Sequence, residues 1–222
     1  MDGNGRYATA KGLKRNEGHK AGAETLRRIA IDAADIGVKY LTVYAFSTEN
    51  WKRPKDEVTG IMKLLYAYLK DWDKYIGDRH VRIKVLGDIT NFDPTLKKMI
   101  RYVENKTKKE NELTLNIALG YGGRNEIVNA AKKIAKEYKS GKINLKDLDE
   151  ELFSNYLYTE DIPDPDLIIR PGGEVRISNF LIWQSAYSEF YFSDVLWPCF
   201  SKENLLEAIS YYQSKNRRFG GV

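Results

Sequence analysis

With one cysteine, Cys199, among 222 residues, the chain can close no disulfide of its own, and a reducing compartment is the expected setting. It has two histidines, His19 and His80, too few to build a metal site from Cys and His ligands. A metal here would be held by carboxylates, which suits magnesium. No apolar run approaches the roughly 18 residues that a bilayer-spanning helix needs, and no signal-peptide pattern opens the chain. Internal repeats, linkers and low-complexity segments are missing as well. These absences lead to the expectation of one cytoplasmic domain over residues 1–222.

What is present fits a folded chain. Hydrophobic residues make up 42% and charged residues 30%, outside the range of disordered sequences. The net charge of +5 favours anionic partners: nucleic acid, phosphorylated small molecules or acidic lipid. Charge alone does not choose among them, since lysines spread over helix faces give the same excess.

Strand and helix patterns alternate. Residues 19–36 have helical apolar spacing and stop at Gly37. Tyr40 to Phe46 (YLTVYAF) is β-branched and aromatic and reads as a strand. A long helix is expected over 55–76, where Val58, Ile61, Met62, Leu65, Tyr68, Leu69, Trp72 and Ile76 give an unusually wide apolar face. Such a face is explained by burial in a core or by lining an apolar tunnel. Strands follow at 81–87, 113–119 and 166–169. Helices follow at 93–109, where Asp93-Pro94 supplies the cap, and at 125–138, 145–156 and 201–214. The alternation predicts an α/β domain with a central, mostly parallel sheet flanked by helices.

Three stretches carry candidate chemistry. MDGNGR sets Asp2 and Asn4 between Gly3 and Gly5, ahead of Arg6. It reads either as a plain turn or as an amide nest beside a cation-holding carboxylate. Ser47, Glu49, Asn50, Trp51 and Arg53 follow the 40–46 strand at its carboxyl end, where α/β sheets place their sites. The stretch from Arg170 to Phe192 (RPGGEVRISNFLIWQSAYSEFYF) puts two guanidiniums around Gly172 and Gly173, with Ser178 and Asn179 after them. It reads either as a surface loop or as an oxyanion cradle in which glycine lets the backbone approach the anion.

In order, MDGNGR, YAFSTENWKRP, the stretch from Arg170 and the closing RRFGG resemble the cis-prenyltransferases over essentially the whole chain. The resemblance implies an α/β fold with an apolar tunnel, a homodimer and a magnesium-dependent reaction. In that reaction isopentenyl diphosphate adds repeatedly to an allylic diphosphate, with cis geometry at each new double bond. It implies that Asp2 handles magnesium and the departing diphosphate, with Glu189 as a second metal-binding carboxylate. Gly3, Asn4, Gly5 and Arg6, with Arg15 and His19, would cradle the allylic diphosphate. Ser47, Glu49, Asn50, Trp51 and Arg53 fall in or beside a mobile loop that sets the substrates against each other, with Asn50 among the catalytic groups. Arg170, Arg176 and Ser178 would bind isopentenyl diphosphate, and Arg218 and Gly220 of the tail would reach into a partner's site. Ala45, Ile61, Leu65, Tyr68 and Leu113 are the candidate tunnel wall, and a product of medium length is expected.

Three departures from the pattern bear on this. The family's short apolar strand before DGNGR is expected but does not precede Met1, so a truncated or misassigned start is expected. RPGGE stands for RTSGE, losing two hydroxyls that glycine amides would have to replace. Tyr7 stands where tryptophan is usual. A short-chain or irregular prenyl coupler shares the motifs. A non-catalytic partner subunit tends to lose the DGNGR aspartate, which this chain keeps. No RNA-binding signature accompanies the basic charge, so no nucleic-acid partner is expected, while a lipid product implies peripheral membrane contact.

Overall fold

The computed structural model describes residues 1–77 and 79–216. Strands β1 (Tyr40–Ser47), β2 (Val81–Leu86) and β3 (Leu113–Tyr121) form a parallel sheet in the order β1-β3-β2. Strands β4 (Leu167–Pro171) and β5 (Glu189–Ser193) form a second, two-stranded parallel ladder. Every ladder among the described residues is parallel, as the alternating pattern predicts. The central strand β3 (LTLNIALGY) is buried at all but one position, as a parallel strand covered on both faces must be. Phe46, Ile83, Leu113, Leu115 and Leu119 sit at its heart, each 1% exposed or less.

The helices are α1 (Asn4–Ala10), α2 (Arg15–Asp35), α3 (Lys55–Lys70), α4 (Trp72–Ile76), α5 (Pro94–Thr107), α6 (Gly123–Lys139), α7 (Glu150–Ser154) and α8 (Lys202–Gln213). The cap expected at Asp93 is present, its carboxylate accepting from the Thr95 amide at 2.8 Å. Two helices expected from periodicity, the long one over 55–76 and the short one over 145–156, are each divided. The 55–76 helix breaks at Asp71, whose ψ of 20° leaves the helical region. The 145–156 segment is a 3-10 turn at Leu145–Asp147 followed by α7, because the Asp149 side chain accepts from the Leu152 amide and starts a new helix. Strand β5 is an addition to the sequence reading; at five residues it is too short for a clear alternation.

Helix α2 starts at Arg15, earlier than its apolar spacing predicts, and so carries both Arg15 and His19 in its first two turns. It lies very close to α1. A Cβ at Gly18 would stand 2.1 Å from the Asn4 carbonyl oxygen, and one at Gly22 2.3 Å from Asn4 Oδ1. Glycine at those two places is what lets the helices meet. Among the described residues, strands β1 and β4 each pair on one side only, and residues of both, among them Leu41, Tyr44, Ile169 and Arg170, line one groove of about 1270 Å³. The segment after β4 is tied back to the main sheet by Glu126, which is 1% exposed. Its carboxylate accepts from Tyr121 Oη at 2.5 Å, Gln184 Nε2 at 3.1 Å and the Tyr158 amide at 2.8 Å.

Candidate active site

The amino-terminal segment meets the carboxyl end of β4. Arg170 Nη2 donates to Asp2 Oδ2 at 2.9 Å, across 168 positions of sequence. Its Nη1 donates to Ser178 Oγ at 2.7 Å and to the Arg176 carbonyl. Arg6 Nη2 lies 3.5 Å from Asp2 Oδ1. Burial works against ionisation of Asp2, but the hydrogen bond and charge of Arg170, joined by Arg6, outweigh it and hold the carboxyl below its ordinary value. The result is an ionised aspartate set between two guanidiniums, with Ser178 beside them. Arg176 is exposed and pairs with Glu174 at 2.5 Å.

Local backbone makes this possible. Gly3 at φ 102° turns the chain into α1, which starts at Asn4 and leaves the first-turn amides of the motif without intrahelical acceptors. Gly172 at φ 100° leaves room for Arg6, since a Cβ there would stand 2.8 Å from Arg6 Nη2. The expectation that glycine amides of RPGGE replace the lost hydroxyls fails, because both are already used. Gly172 donates to the Val195 carbonyl at 2.9 Å and Gly173 to that of Ser193 at 2.8 Å. Beyond them, Ser178, Asn179 and Leu181 all have positive φ, a cluster of backbone strain of the kind that collects at functional sites.

The loop after β1 joins this site. Ser47 and Asn50 form a reciprocal cap, and Glu49 Oε1 accepts from Asn179 Nδ2 at 2.9 Å, tying the loop to the segment after β4. Ser47, Glu49, Asn50 and Arg53 border the same groove as Asp2, Arg170, Arg176 and Ser178. Trp51, by contrast, packs edge-on against Phe46 and Phe92, with ring centres 5.0 and 5.2 Å away.

On the other side of the Met1–Asn4 segment lies an apolar cavity of about 130 Å³, with Asn4 and His19 among its lining residues. Ala45, Ile61, Leu65 and Tyr68, the candidate tunnel wall, line it along with Leu115 and Ile117 of β3. Leu113 does not. It points to the same face of the strand but is fully buried in the core at the amino end of β3. Tyr68 stacks on Tyr75 at 4.6 Å, and with Glu24 and Arg27, which pair at 2.6 Å, they form a polar aromatic cluster against the cavity.

The family model described as putative undecaprenyl diphosphate synthase matches residues 1–220. An isoprenyl transferase of Clostridium perfringens is 50% identical over 222 residues, which is 100% of this chain and 88% of that protein. The ditrans,polycis-undecaprenyl-diphosphate synthase ((2E,6E)-farnesyl-diphosphate specific) of Micrococcus luteus is 49% identical, over 100% of this chain and 89% of its own length. The chain belongs to the undecaprenyl diphosphate synthase family. Among solved structures, lavandulyl diphosphate synthase from Lavandula x intermedia, in complex with dimethylallyl diphosphate, superposes with a TM-score of 0.95 at 34% identity. That match covers 100% of this chain and 95% of that one.

For this member of the synthase family, one site expectation, Glu189, stands apart from the cluster at Asp2. Glu189 opens β5 opposite Leu167, four ladder steps and roughly 13 Å from the Pro171–Ser193 pair beside the site. Within one chain it is therefore not brought to Asp2. Among the described residues, no three Asp, Glu, His or Cys side chains converge as a metal site of their own. Arg218 and Gly220 lie outside the described residues.

Of the residues that join this site, Asn179 is read in the sequence only as a donor beside the cradle, and Glu57 is not read at all. Asn179, besides holding Glu49, accepts the Arg124 amide at 2.9 Å and so links three segments. Glu57 is 7% exposed and gathers Arg15, His19 and Arg53. Its signal was available, since it stands four residues after Arg53, the spacing of a helical ion pair.

Proposed function

We propose that this chain condenses isopentenyl diphosphate onto an allylic diphosphate such as farnesyl diphosphate, repeatedly and with cis geometry, to give a polyprenyl diphosphate of medium length. The observation that carries this is a polar site, with Asp2 set between Arg6 and Arg170, lying next to a separate apolar cavity. Two diphosphates and a hydrocarbon tail need those two environments side by side.

In the first step the allylic carbon–oxygen bond breaks and its electron pair leaves with the diphosphate. Arg6, Arg15 and His19, with amides of Gly3, Asn4 and Gly5, stabilise the charge that develops there. The double bond of the isopentenyl group attacks the allylic carbon, and loss of a proton restores a double bond in the extended chain. Arg170, Arg176 and Ser178 hold the isopentenyl diphosphate, while Ser47, Glu49, Asn50 and Arg53 keep it against the allylic partner. The donor set fits Mg²⁺, which keeps few protein ligands and takes the rest from substrate phosphates. Asp2, ionised and partly exposed, would hold it, and when bound it supplies neutralisation of the departing diphosphate. Glu189 and the tail residues Arg218 and Gly220 are proposed to act across a homodimer.

A single coupling to a short or irregular product is the second reading, favoured by the small volume of the cavity. Sizing the product made from farnesyl diphosphate and labelled isopentenyl diphosphate separates the two: a ladder of products supports elongation, and one condensation supports the coupler. No helix among the described residues is long and apolar enough to cross a membrane, so contact with lipid is proposed to be peripheral and to follow from the product.

A further inference from the structure

Glu57 sits in the first turn of α3, where an acid is ordinarily a solvated partner of the helix dipole. Here it is 7% exposed, and both oxygens are taken. Oε1 accepts from Arg53 Nη1 at 3.0 Å and lies 3.1 Å from His19 Nε2. Oε2 accepts from Arg15 Nη1 at 3.2 Å. These donors come from two separate elements, the first turns of α2 and the loop that precedes α3. Burial opposes its ionisation, but the His19 hydrogen bond and the Arg53 and Arg15 charges outweigh it and hold the carboxyl below its ordinary value.

We infer that Glu57 is a positioning residue for the allylic diphosphate site, acting through Arg15, His19 and Arg53. The inference rests on the function proposed above. Without a buried anion, two guanidiniums this close would repel one another and spread into solvent, and the imidazole would lose its acceptor. Each arginine uses one nitrogen, Nη1, on the carboxylate, and a guanidinium has five N–H donors, so most remain for phosphate oxygens. An ionised carboxylate only accepts, so His19 Nε2 carries a hydrogen, which fixes the tautomer of the neutral ring. Through Arg53, Glu57 also fastens the end of the loop bearing Asn50 and Trp51 to α2.

The test uses the whole chain and Glu57→Gln, which keeps shape but loses charge, with Glu57→Asp as the conservative variant. Calorimetric titration with inorganic pyrophosphate reads the site without requiring turnover. Glu57→Gln is expected to weaken binding at least tenfold, with Glu57→Asp recovering part of it. In turnover, KM for farnesyl diphosphate is expected to rise tenfold or more, and that for isopentenyl diphosphate less than threefold. Unchanged or tighter pyrophosphate binding by Glu57→Gln would overturn the inference, the tighter result showing that the carboxylate merely competes with the anion. Equal losses for both substrates, tracking a loss of folded protein, would overturn it too. If wild type binds pyrophosphate in a Glu57-dependent way yet makes no prenyl product, the proposed reaction fails and the positioning role stands.

Discussion

Asp2 is the residue on which the proposed chemistry turns, because among the described residues it is the carboxylate that Arg6 and Arg170 both reach. Asp2→Ala is expected to lower kcat by several orders of magnitude while circular dichroism and the melting temperature stay near wild type. Arg170→Ala removes a donor that holds both Asp2 and Ser178, and a loss of about 10²–10³ in kcat/KM for isopentenyl diphosphate is expected. Titration gives a further prediction. Burial lowers the His19 value, against the opposing pull of Glu57, and the Glu57 value is lowered as well, from ordinary values of 6.5 and 4.5 respectively. Both groups therefore bind protons more readily in the unfolded chain. Their contribution to stability is complete above about pH 6.5 and is lost as pH falls through their folded values. Urea midpoints measured from pH 7 down to pH 4 should fall, and Glu57→Gln should flatten the acid part of that slope.

Among the elements, α3 is proposed to set how much hydrocarbon the protein takes. The cavity of about 130 Å³ is close to the ~150 Å³ that holds a benzene-sized guest, so it takes about one isoprene unit. A longer product needs α3 to move away from β3, or the Tyr68–Tyr75 stack to open. Tyr68→Ala is expected to lengthen the product distribution and Leu65→Trp to shorten it, both read by chromatography of dephosphorylated products. The helix itself was legible in the sequence through its wide apolar face. That face was ambiguous between core and tunnel because periodicity reports which side is apolar and says nothing of what covers it. The structure resolves the ambiguity in one respect: Leu69 is buried, while Ile61, Leu65 and Tyr68 are only half-buried against the cavity. The misplaced Leu113 has the same origin, since alternation gives the face of a strand and not the depth along it. The meeting of Asp2 with Arg170 was legible only through the motif resemblance; no local pattern brings together residues 168 positions apart. Glu57 was passed over because an acid at a helix start has an ordinary explanation, and its burial appears only in three dimensions.

For the molecule as a whole, the two ladders must keep their relative placement for a site that joins Asp2 to Arg170. Glu126 is one of the ties between them, and Glu126→Ala would leave the Tyr121 hydroxyl and the Gln184 amide without this acceptor inside the protein. A loss of about 1–3 kcal/mol per group whose hydrogen bonding is not restored is expected, measured by urea denaturation. Affinity for isopentenyl diphosphate should weaken with it, because the segment bearing Ser178 is held by the same tie. The central claim is that one active site joins two diphosphates while an apolar cavity receives the growing chain. It is tested most directly by incubating the purified chain with farnesyl diphosphate, labelled isopentenyl diphosphate and Mg²⁺, then sizing the products. A ladder of cis-polyprenyl diphosphates that disappears in Asp2→Ala is expected. A folded wild-type chain that transfers no label to the allylic primer, or an Asp2→Ala variant that makes the same ladder at the same rate, would contradict it.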